Sequence, residues 1–465
     1  MLISPTHQID ARLGNVCKTL VDRISEKQSI SFRRISRNYN EQVQFSRFIN
    51  NSRVPRKALE ETCYQQFLGS CPSDRHVLLI EDTTKVSFSL ARKIKGLGSI
   101  DKGQVQGFYL HPLLCLDAVD GACYGVCHLE LYQRPFEEKE ELTRRQKQLL
   151  RNKVAFEDKE SYRWYNSVCQ ALPKLSTGVT KTVVADRESD IYAVLTGLTK
   201  LGVNYVIRGR HDRVVLGEAK KLSEAMAGWE TFSRELDLPA TDGRTAHRAE
   251  LHISFGQVTL KKGDSKAAPA YSPATHTTWV VHVKEAAHTV VGKEKPVEWI
   301  LYTLHPVEDI AAALQVIGWY KERWNIEQVF RILKSKGVDI MSSQLDSAEK
   351  LHKLTILALM ACVQVLQLVR ARAGTTQQQA QPLFTPEQAV FIEQLNPALE
   401  GRTAKLKNPH PKVSLAFAAW VIARLAGWSG YQKQRPPGPI DFLQGLVVFY
   451  QQYKGFCLAR DVYIL

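Results

Sequence analysis

Residues 318–334 read GWYKERWNIEQVFRILK and hold one carboxylate among aromatic and basic side chains. The stretch has no proline and no glycine after Gly318, and its apolar residues recur at helical spacing, so it predicts a helix. With Tyr320 at zero and about 100° per residue, Arg323 falls near ~300°, Glu327 near ~340° and Lys334 near ~320°. These four polar side chains would form one stripe beside an apolar face.

That stripe has two interpretations. A carboxylate between cations suits a metal ligand surrounded by phosphate-binding groups. A solvated helix face with ordinary ion pairs three and four residues apart produces the same pattern. The helix alone does not decide between them.

The composition indicates a large protein with an anionic partner. The chain has 465 residues, 44% of them hydrophobic, which is enough for several domains. Lys and Arg number 62 against 47 Asp and Glu, a net charge of +15. This excess favours a polyanion, with nucleic acid before membrane. A basic soluble enzyme without such a partner remains the alternative.

Several other classes of protein lack support. Nine cysteines, an odd number, favour free thiols in a reducing compartment. The spacing of Cys123 and Cys127 is wrong for a zinc knuckle. We find no P-loop, no HExxH and no GxGxxG motif, and the first ten residues lack the pattern of a secretory signal. The apolar stretch 354–369 is too short to span a bilayer and predicts a buried helix.

Two apolar runs that end in acids predict the centre of the fold. Val77–Ile80 is followed by Glu81 and Asp82, and Thr180–Ala185 is followed by Asp186. Such runs are typical of strands buried on both faces, here with a carboxylate at the sheet edge.

The order of strands and helices predicts an α/β fold around a mixed sheet. Residues from about 209 to 298 are polar and rich in Gly, Thr and Ala, and predict an inserted antiparallel β subdomain. Three carboxylates on different elements, Asp82, Asp186 and Glu327, would bind a hard divalent cation such as Mg²⁺ if they converged.

Four motifs occur in one order along the chain. They are Glu81-Asp82-Thr83-Thr84, then Gly96-Leu97-Gly98-Ser99-Ile100, then ADRESDI at 185–191, and Y-x2-R-x3-E-x6-K at Tyr320, Arg323, Glu327 and Lys334. Together they resemble the DDE transposases of the bacterial insertion-sequence-four family. The resemblance spans nearly the whole chain, with more divergence in the N- and C-terminal thirds.

The resemblance implies a fold and a reaction. The fold would be an RNase H-like core of mixed sheet and flanking helices, with the β insertion between Asp186 and Glu327. Asp82, Asp186 and Glu327 would ligate two Mg²⁺ ions, with Mn²⁺ as a substitute. The enzyme would nick the element end, form a hairpin with the freed 3′-hydroxyl, open it and join the 3′ ends to target DNA.

The resemblance also assigns DNA contacts. Tyr320, Arg323 and Lys334 would hold the end phosphates and the hairpin. Trp299 would receive a flipped base, although a core Trp in a strand is an equal interpretation. Trp324 would assist by stacking and Arg208 would be a further DNA ligand. Two further acids of the ADRESDI motif are expected to orient or cap rather than to ligate metal, namely Glu188 and Asp190.

Three domains follow from this resemblance. Residues 1–70 would form a helical DNA-end-binding domain, 71–372 the catalytic core and 373–465 a helical dimerisation domain. A solvated helical cap remains the alternative for residues 1–70. The expected partners are double-stranded DNA, both as inverted-repeat ends and as target, and a second copy of the chain, with no membrane. The expected location is the bacterial cytoplasm, at the nucleoid.

Two other functions stay open at this stage. One is an RNase H-like nuclease that cleaves DNA without strand transfer. The other is a catalytically silent DNA-binding protein that inhibits transposition. The presence of all three acids argues against the second, and the β insertion with Trp299 argues against the first.

Overall fold

The computed structural model describes residues 9–100, 103, 105–136, 143–238, 244–263, 269–381, 383–431 and 434–463. The chain forms two compact units. The first unit comprises Met1–Pro72, Thr83–Glu138 and Asn325–Leu465, and the second comprises Ser73–Asp82 and Lys139–Trp324. The three domains expected from the sequence stay a prediction.

The described part of the chain contains strands of 2 to 15 residues. They are β1 Val77–Glu81, β2 Thr84–Phe88, β3 Gly98–Ile100, β4 Val105–Asp117, β5 Cys123–Tyr132, β6 Lys181–Ala185, β7 Asn204–Arg208, β8 Val215–Leu216, β9 Thr231–Leu238, β10 His247–Lys261, β11 Thr275–Glu285 and β12 Glu298–Thr303.

The α-helices frequently begin at a side-chain cap, as where Asp10 accepts from the backbone N–H of Leu13. They are α1 Ala11–Lys27, α2 Phe32–Ile35, α3 Tyr39–Asn50, α4 Arg56–Leu68, α5 Arg144–Lys153, α6 Arg163–Ala171, α7 Tyr192–Lys200, α8 Leu222–Ala227, α9 Ile310–Glu322, α10 Trp324–Arg331, α11 Ala348–Ala371, α12 Pro386–Leu399, α13 Leu415–Leu425 and α14 Pro439–Tyr463.

The second unit is organised around a mixed sheet. β1, β6 and β7 lie parallel in that order, and β12, β11 and β10 continue the sheet antiparallel, with β8 and β9 both paired to β10. All five residues of β1 are buried, as expected for an apolar run covered on both faces. The predicted α/β class, a mixed sheet with flanking helices, is therefore confirmed. That the antiparallel strands form a separate subdomain stays a prediction.

The first unit combines the antiparallel strands β2 to β5 with most of the described helices. β4 pairs antiparallel with β2, β3 and β5, and β4 and β5 form a hairpin. The long helix α11 is almost wholly buried and packs against α1, α4 and α13. It is longer than the apolar stretch picked out in the sequence, and it is the one described helix long and apolar enough to cross a membrane, a test that buried core helices also pass.

One predicted element differs from the structure. Residues 318–334 do not form one continuous helix, because α9 ends at Glu322, α10 starts at Trp324 and the turn Ile332–Lys336 is π-helical. The angular projection assumed one uninterrupted helix, so the single stripe of four polar residues stays a prediction. Breaks and π turns of this kind re-aim side chains and are frequent at functional sites.

Candidate active site at the ends of two parallel strands

Two aspartates lie side by side at the carboxyl end of the sheet in the second unit. β1 and β6 pair in register from Val77 opposite Lys181 to Ile80 opposite Val184. Two residues further along each strand stand Asp82 and Asp186, each directly after the last strand residue. Neighbouring strands lie about 4.8 Å apart, and side chains in register on parallel strands share a face. The register therefore brings two carboxylates of a predicted triad together.

Both carboxylates are half-buried and already have protein partners. Oδ2 of Asp82 is 3.0 Å from Nη1 of Arg323, an ion pair in which both side chains are less than one-fifth exposed. Oδ1 of Asp186 accepts a hydrogen bond of 2.8 Å from the backbone N–H of Glu188 and so caps the short turn that follows β6. The two aspartates thus differ in partner, with a guanidinium at Asp82 and a backbone N–H donor at Asp186.

The predicted aromatic and basic DNA contacts of this unit form a neighbouring cluster. The rings of Trp299 and Tyr320 meet edge to face, with centroids 5.4 Å apart. Arg208 donates from Nη2 to the carbonyl of Glu298 at 2.9 Å and also bonds the Tyr320 hydroxyl. Tyr320 itself is buried, 5% exposed, rather than on a solvated face.

Burial keeps the Tyr320 phenol neutral. Desolvation raises its pKa, and the nearby Asp186 carboxylate raises it further, while Arg323 and Arg208 oppose the shift. Tyr320 is therefore available as a hydrogen-bond donor at neutral pH, close to Asp186 and to two guanidinium groups.

Sequence reasoning missed a third acid beside the pair. Glu81, the last residue of β1, is fully buried, and its Oε2 accepts from the hydroxyl of Ser167 at 2.7 Å. Burial raises the pKa of Glu81 well above its usual range, and Asp186 and Asp82 add to the rise. The period-2 alternation of strands was the available signal, because it places Glu81 on the opposite face from Asp82.

Asp190 anchors the chain that follows the second aspartate. Its side chain is fully buried and accepts from the backbone N–H groups of Arg210 and His211, at 2.7 and 3.1 Å. It also pairs with Arg213, whose Nε lies 3.0 Å from Oδ1. Asp190 therefore orients, as expected, and joins the turn after Asp186 to the start of the antiparallel strands.

The remaining predicted site residues lie on the next stretch of chain. Trp324 is half-buried at the start of α10, and Glu327 lies in the first turn of that helix. Lys334 lies in the π turn that follows. Glu327 and Lys334 belong to the first unit, whereas Asp82, Asp186 and the aromatic and basic cluster belong to the second.

Among the residues that the structure describes, no group of three His, Cys, Asp or Glu side chains lies close enough together to hold a metal ion. The structure brings together two of the three predicted metal ligands by strand register. The complete triad stays a prediction.

A known protein family matches the part of the chain that contains most of these residues. Residues 165–363 match the family model described as a transposase DDE domain. The match includes Asp186, Trp299, Glu327 and Lys334, begins after Asp82, and covers less than half of the chain. It supports the chain being a DDE transposase, and a transposase has DNA as its partner.

Proposed function

We propose that the chain is a cut-and-paste transposase of the bacterial insertion-sequence-four family, similar to the transposase of the type-five composite transposon. It binds inverted-repeat ends, cleaves them by metal-dependent hydrolysis with a hairpin intermediate, and joins the 3′-hydroxyl ends to target DNA. The observation that carries the proposal is that Asp82 and Asp186 directly follow two neighbouring parallel strands whose paired residues are in register, with Asp82 bound to Arg323, in a chain that matches a transposase domain at residues 165–363.

The donor set fits a hard divalent cation. Asp82 and Asp186 offer carboxylate oxygens from neighbouring strand ends, which is the ligand type that Mg²⁺ and Mn²⁺ take. We propose Asp82, Asp186 and Glu327 as the ligands of two such ions, which when bound supply an activated water or 3′-hydroxyl and stabilise the leaving oxygen. The buried Glu81, held by Ser167, lies behind the strand end, and burial raises its pKa.

The cationic and aromatic side chains supply contacts for a DNA end. Arg323, held within 3.0 Å of Asp82, presents a fork of donors for phosphate oxygens near the carboxylates. The Tyr320 hydroxyl donates a hydrogen bond, and Lys334 adds a positive charge on the next stretch of chain. Trp299, packed edge to face on Tyr320, offers a π face on which an unstacked base stacks. Arg208 and Trp324 complete the proposed set.

The proposal extends to the rest of the chain. The core is of RNase H type, residues 1–70 bind the element ends, and residues 373–465 mediate dimerisation. Two copies bring two ends together in the synaptic complex, in the bacterial cytoplasm at the nucleoid. The net charge of +15 supports a DNA partner.

The central test compares two acids of one motif. Asp186→Asn keeps a side-chain cap for the turn but loses a charged metal ligand. We expect it to abolish Mg²⁺-dependent nicking and strand transfer on DNA carrying the element's inverted repeats. Glu188→Gln, two residues away and 59% exposed, is the matched control and keeps both activities. If Asp186→Asn or Glu327→Ala cleaved and joined DNA at the wild-type rate, the assignment of the site would be wrong.

A second test separates transposase from nuclease. Trp299→Ala removes the stacking face but no ligand, so hairpin formation should slow more than first-strand nicking, by about 10- to 100-fold. The measurement follows both products on one end-labelled duplex. Equal slowing of both steps would remove Trp299 from this role, and nicking without any strand joining in the wild-type chain would favour a nuclease.

A further inference from the structure

The loop at residues 286–297 joins β11 to β12 and leads directly into Trp299. Three histidine–glutamate pairs surround this loop and the first residue of β12, namely His247 with Glu285, His288 with Glu250, and His282 with Glu298. The first pair differs from the others because its carboxylate is buried and its imidazole is half-buried, with the side chains of Glu285 and His247 1% and 11% exposed.

Both ring nitrogens of His247 face acceptors. Nδ1 lies 2.9 Å from the carbonyl oxygen of Thr245, and Nε2 lies 2.7 Å from Oε1 of Glu285. A neutral imidazole carries one N–H, so it donates to both acceptors only in its cationic form. In agreement, the hydrogen bonds to the Thr245 carbonyl and the Glu285 carboxylate raise the pKa of His247.

The Glu285 carboxylate links His247 to the loop. Its Oε2 accepts from the backbone N–H of Val297 at 2.8 Å, and its own N–H donates to the Val297 carbonyl at 2.8 Å. From the same loop, Glu294 accepts from both the N–H and the hydroxyl of Thr245, each at 2.9 Å. The start of β10, the end of β11 and the loop are thus tied together two residues before Trp299.

We propose that His247 and Glu285 are a positioning pair that clamps the 286–297 loop and thereby holds Trp299 for the DNA end. The clamp itself stands on the contacts above, and its role in the reaction rests on the proposed function of Trp299. The same strand end carries the carbonyl of Glu298 that Arg208 bonds, so the pair also supports that guanidinium.

The clamp depends on pH. The charged groups that face His247 are Glu285 from β11 and Glu294 from the loop, with Arg244 acting on Glu294. Because the folded pKa of His247 is raised, the stabilisation is complete below its unfolded value of about 6.5 and is lost as pH rises through the folded value.

Amide hydrogen exchange in the full chain tests the clamp without any DNA. After correction for intrinsic exchange rates, His247→Gln should raise exchange at residues 286–299 by at least about tenfold at pH 6.5. The wild-type protein should approach the variant as pH rises to 9. The control is His252→Gln, which breaks the exposed pair with Glu250, also on β10, and should change little. Unchanged protection in His247→Gln, or an equal effect in His252→Gln, would refute the clamp.

A second variant distinguishes loss of the His247–Glu285 pair from general misfolding. Glu285→Gln keeps an oxygen for the Val297 N–H but removes the charge that holds the cationic imidazole. We expect much of the protection to remain while its pH dependence shrinks, because only the Thr245 carbonyl still favours the cationic imidazole. A pH dependence as large as in the wild type would overturn the pairing.

The role in the reaction has its own measurement. On DNA with the element ends, His247→Gln should slow hairpin formation about tenfold relative to nicking at pH 6.5, and the wild type should show the same relative loss at pH 9. If His247→Gln exchanged faster but formed the hairpin at the wild-type rate, the clamp would exist but would not position Trp299. A wild-type chain that never forms a hairpin would refute the proposed function and this role, while the exchange data would still decide the clamp.

Discussion

Replacing Asp190 by alanine should be one of the most destabilising single changes in the second unit. The side chain is 0% exposed and binds Arg213 together with the backbone N–H groups of Arg210 and His211. Alanine leaves a guanidinium that is only 14% exposed without its carboxylate, and two backbone donors without their acceptor.

The magnitude follows from those contacts. Removing one partner of a buried ion pair costs about 3–5 kcal/mol, because the remaining charge stays buried. The two lost backbone bonds belong to the same carboxylate and are not added separately. At roughly 2–4 °C per kcal/mol for a unit of this size, the thermal transition of the second unit should fall by about 6–20 °C.

Thermal melting and hydrogen exchange measure the effect. Exchange of residues 187–213 assigns the loss to the turn and the start of the antiparallel strands, since two units need not unfold together. Glu188→Ala is the matched control, because it removes a 59% exposed acid from the same turn and should cost less than about 1 kcal/mol. If Asp190→Ala melted within 2 °C of the control, the buried pair would not hold this region.

Two further predictions concern the first unit. Gly445→Ala in α14 would place a Cβ 2.0 Å from the carbonyl oxygen of Ile422, so the two backbones must separate. We expect the free energy of unfolding, measured by urea titration, to fall by about 3 kcal/mol or more. Gly455→Ala in the same helix meets open space and should be neutral or stabilise by up to ~1 kcal/mol, and equal losses would contradict the close approach. Burial raises the pKa of Asp22 from 3.8 to about 6, so the native state binds more protons in that window and stability falls as pH rises through it. Asp22→Asn should therefore stabilise at pH 8 by up to about 3 kcal/mol and make little difference at pH 3.5, whereas equal effects at both pH values would exclude a titrating Asp22.

Local chemistry was enough to predict most of the elements around the site. Apolar runs ended by acids marked β1 and β6 nearly to the residue, since a strand covered on both faces tolerates only apolar side chains. The motif order added the functional interpretation, and the transposase domain match at residues 165–363 supports it at the level of the family domain.

Other features depend on contacts between distant residues. The sequence predicted one helix from Gly318 to Lys334, but the helix is interrupted at Arg323. The side chain of Arg323 pairs with Asp82, an aspartate 241 residues earlier. Helical periodicity describes neighbours three and four residues apart and contains no information about such a partner. The burial of Tyr320 was missed for the same reason.

Sequence alone therefore predicted most strands and helices and the α/β class, because hydrophobic periodicity and residue chemistry are local properties, and the order of the motifs supplied the candidate acids. Only the folded chain decided that the strands before Asp82 and Asp186 pair in register, that Glu81 is buried in the core, and that His247 lies between two acceptors. Strand register and burial arise from packing between segments far apart in the chain, and packing sets the partners, the desolvation and hence the charge of each group.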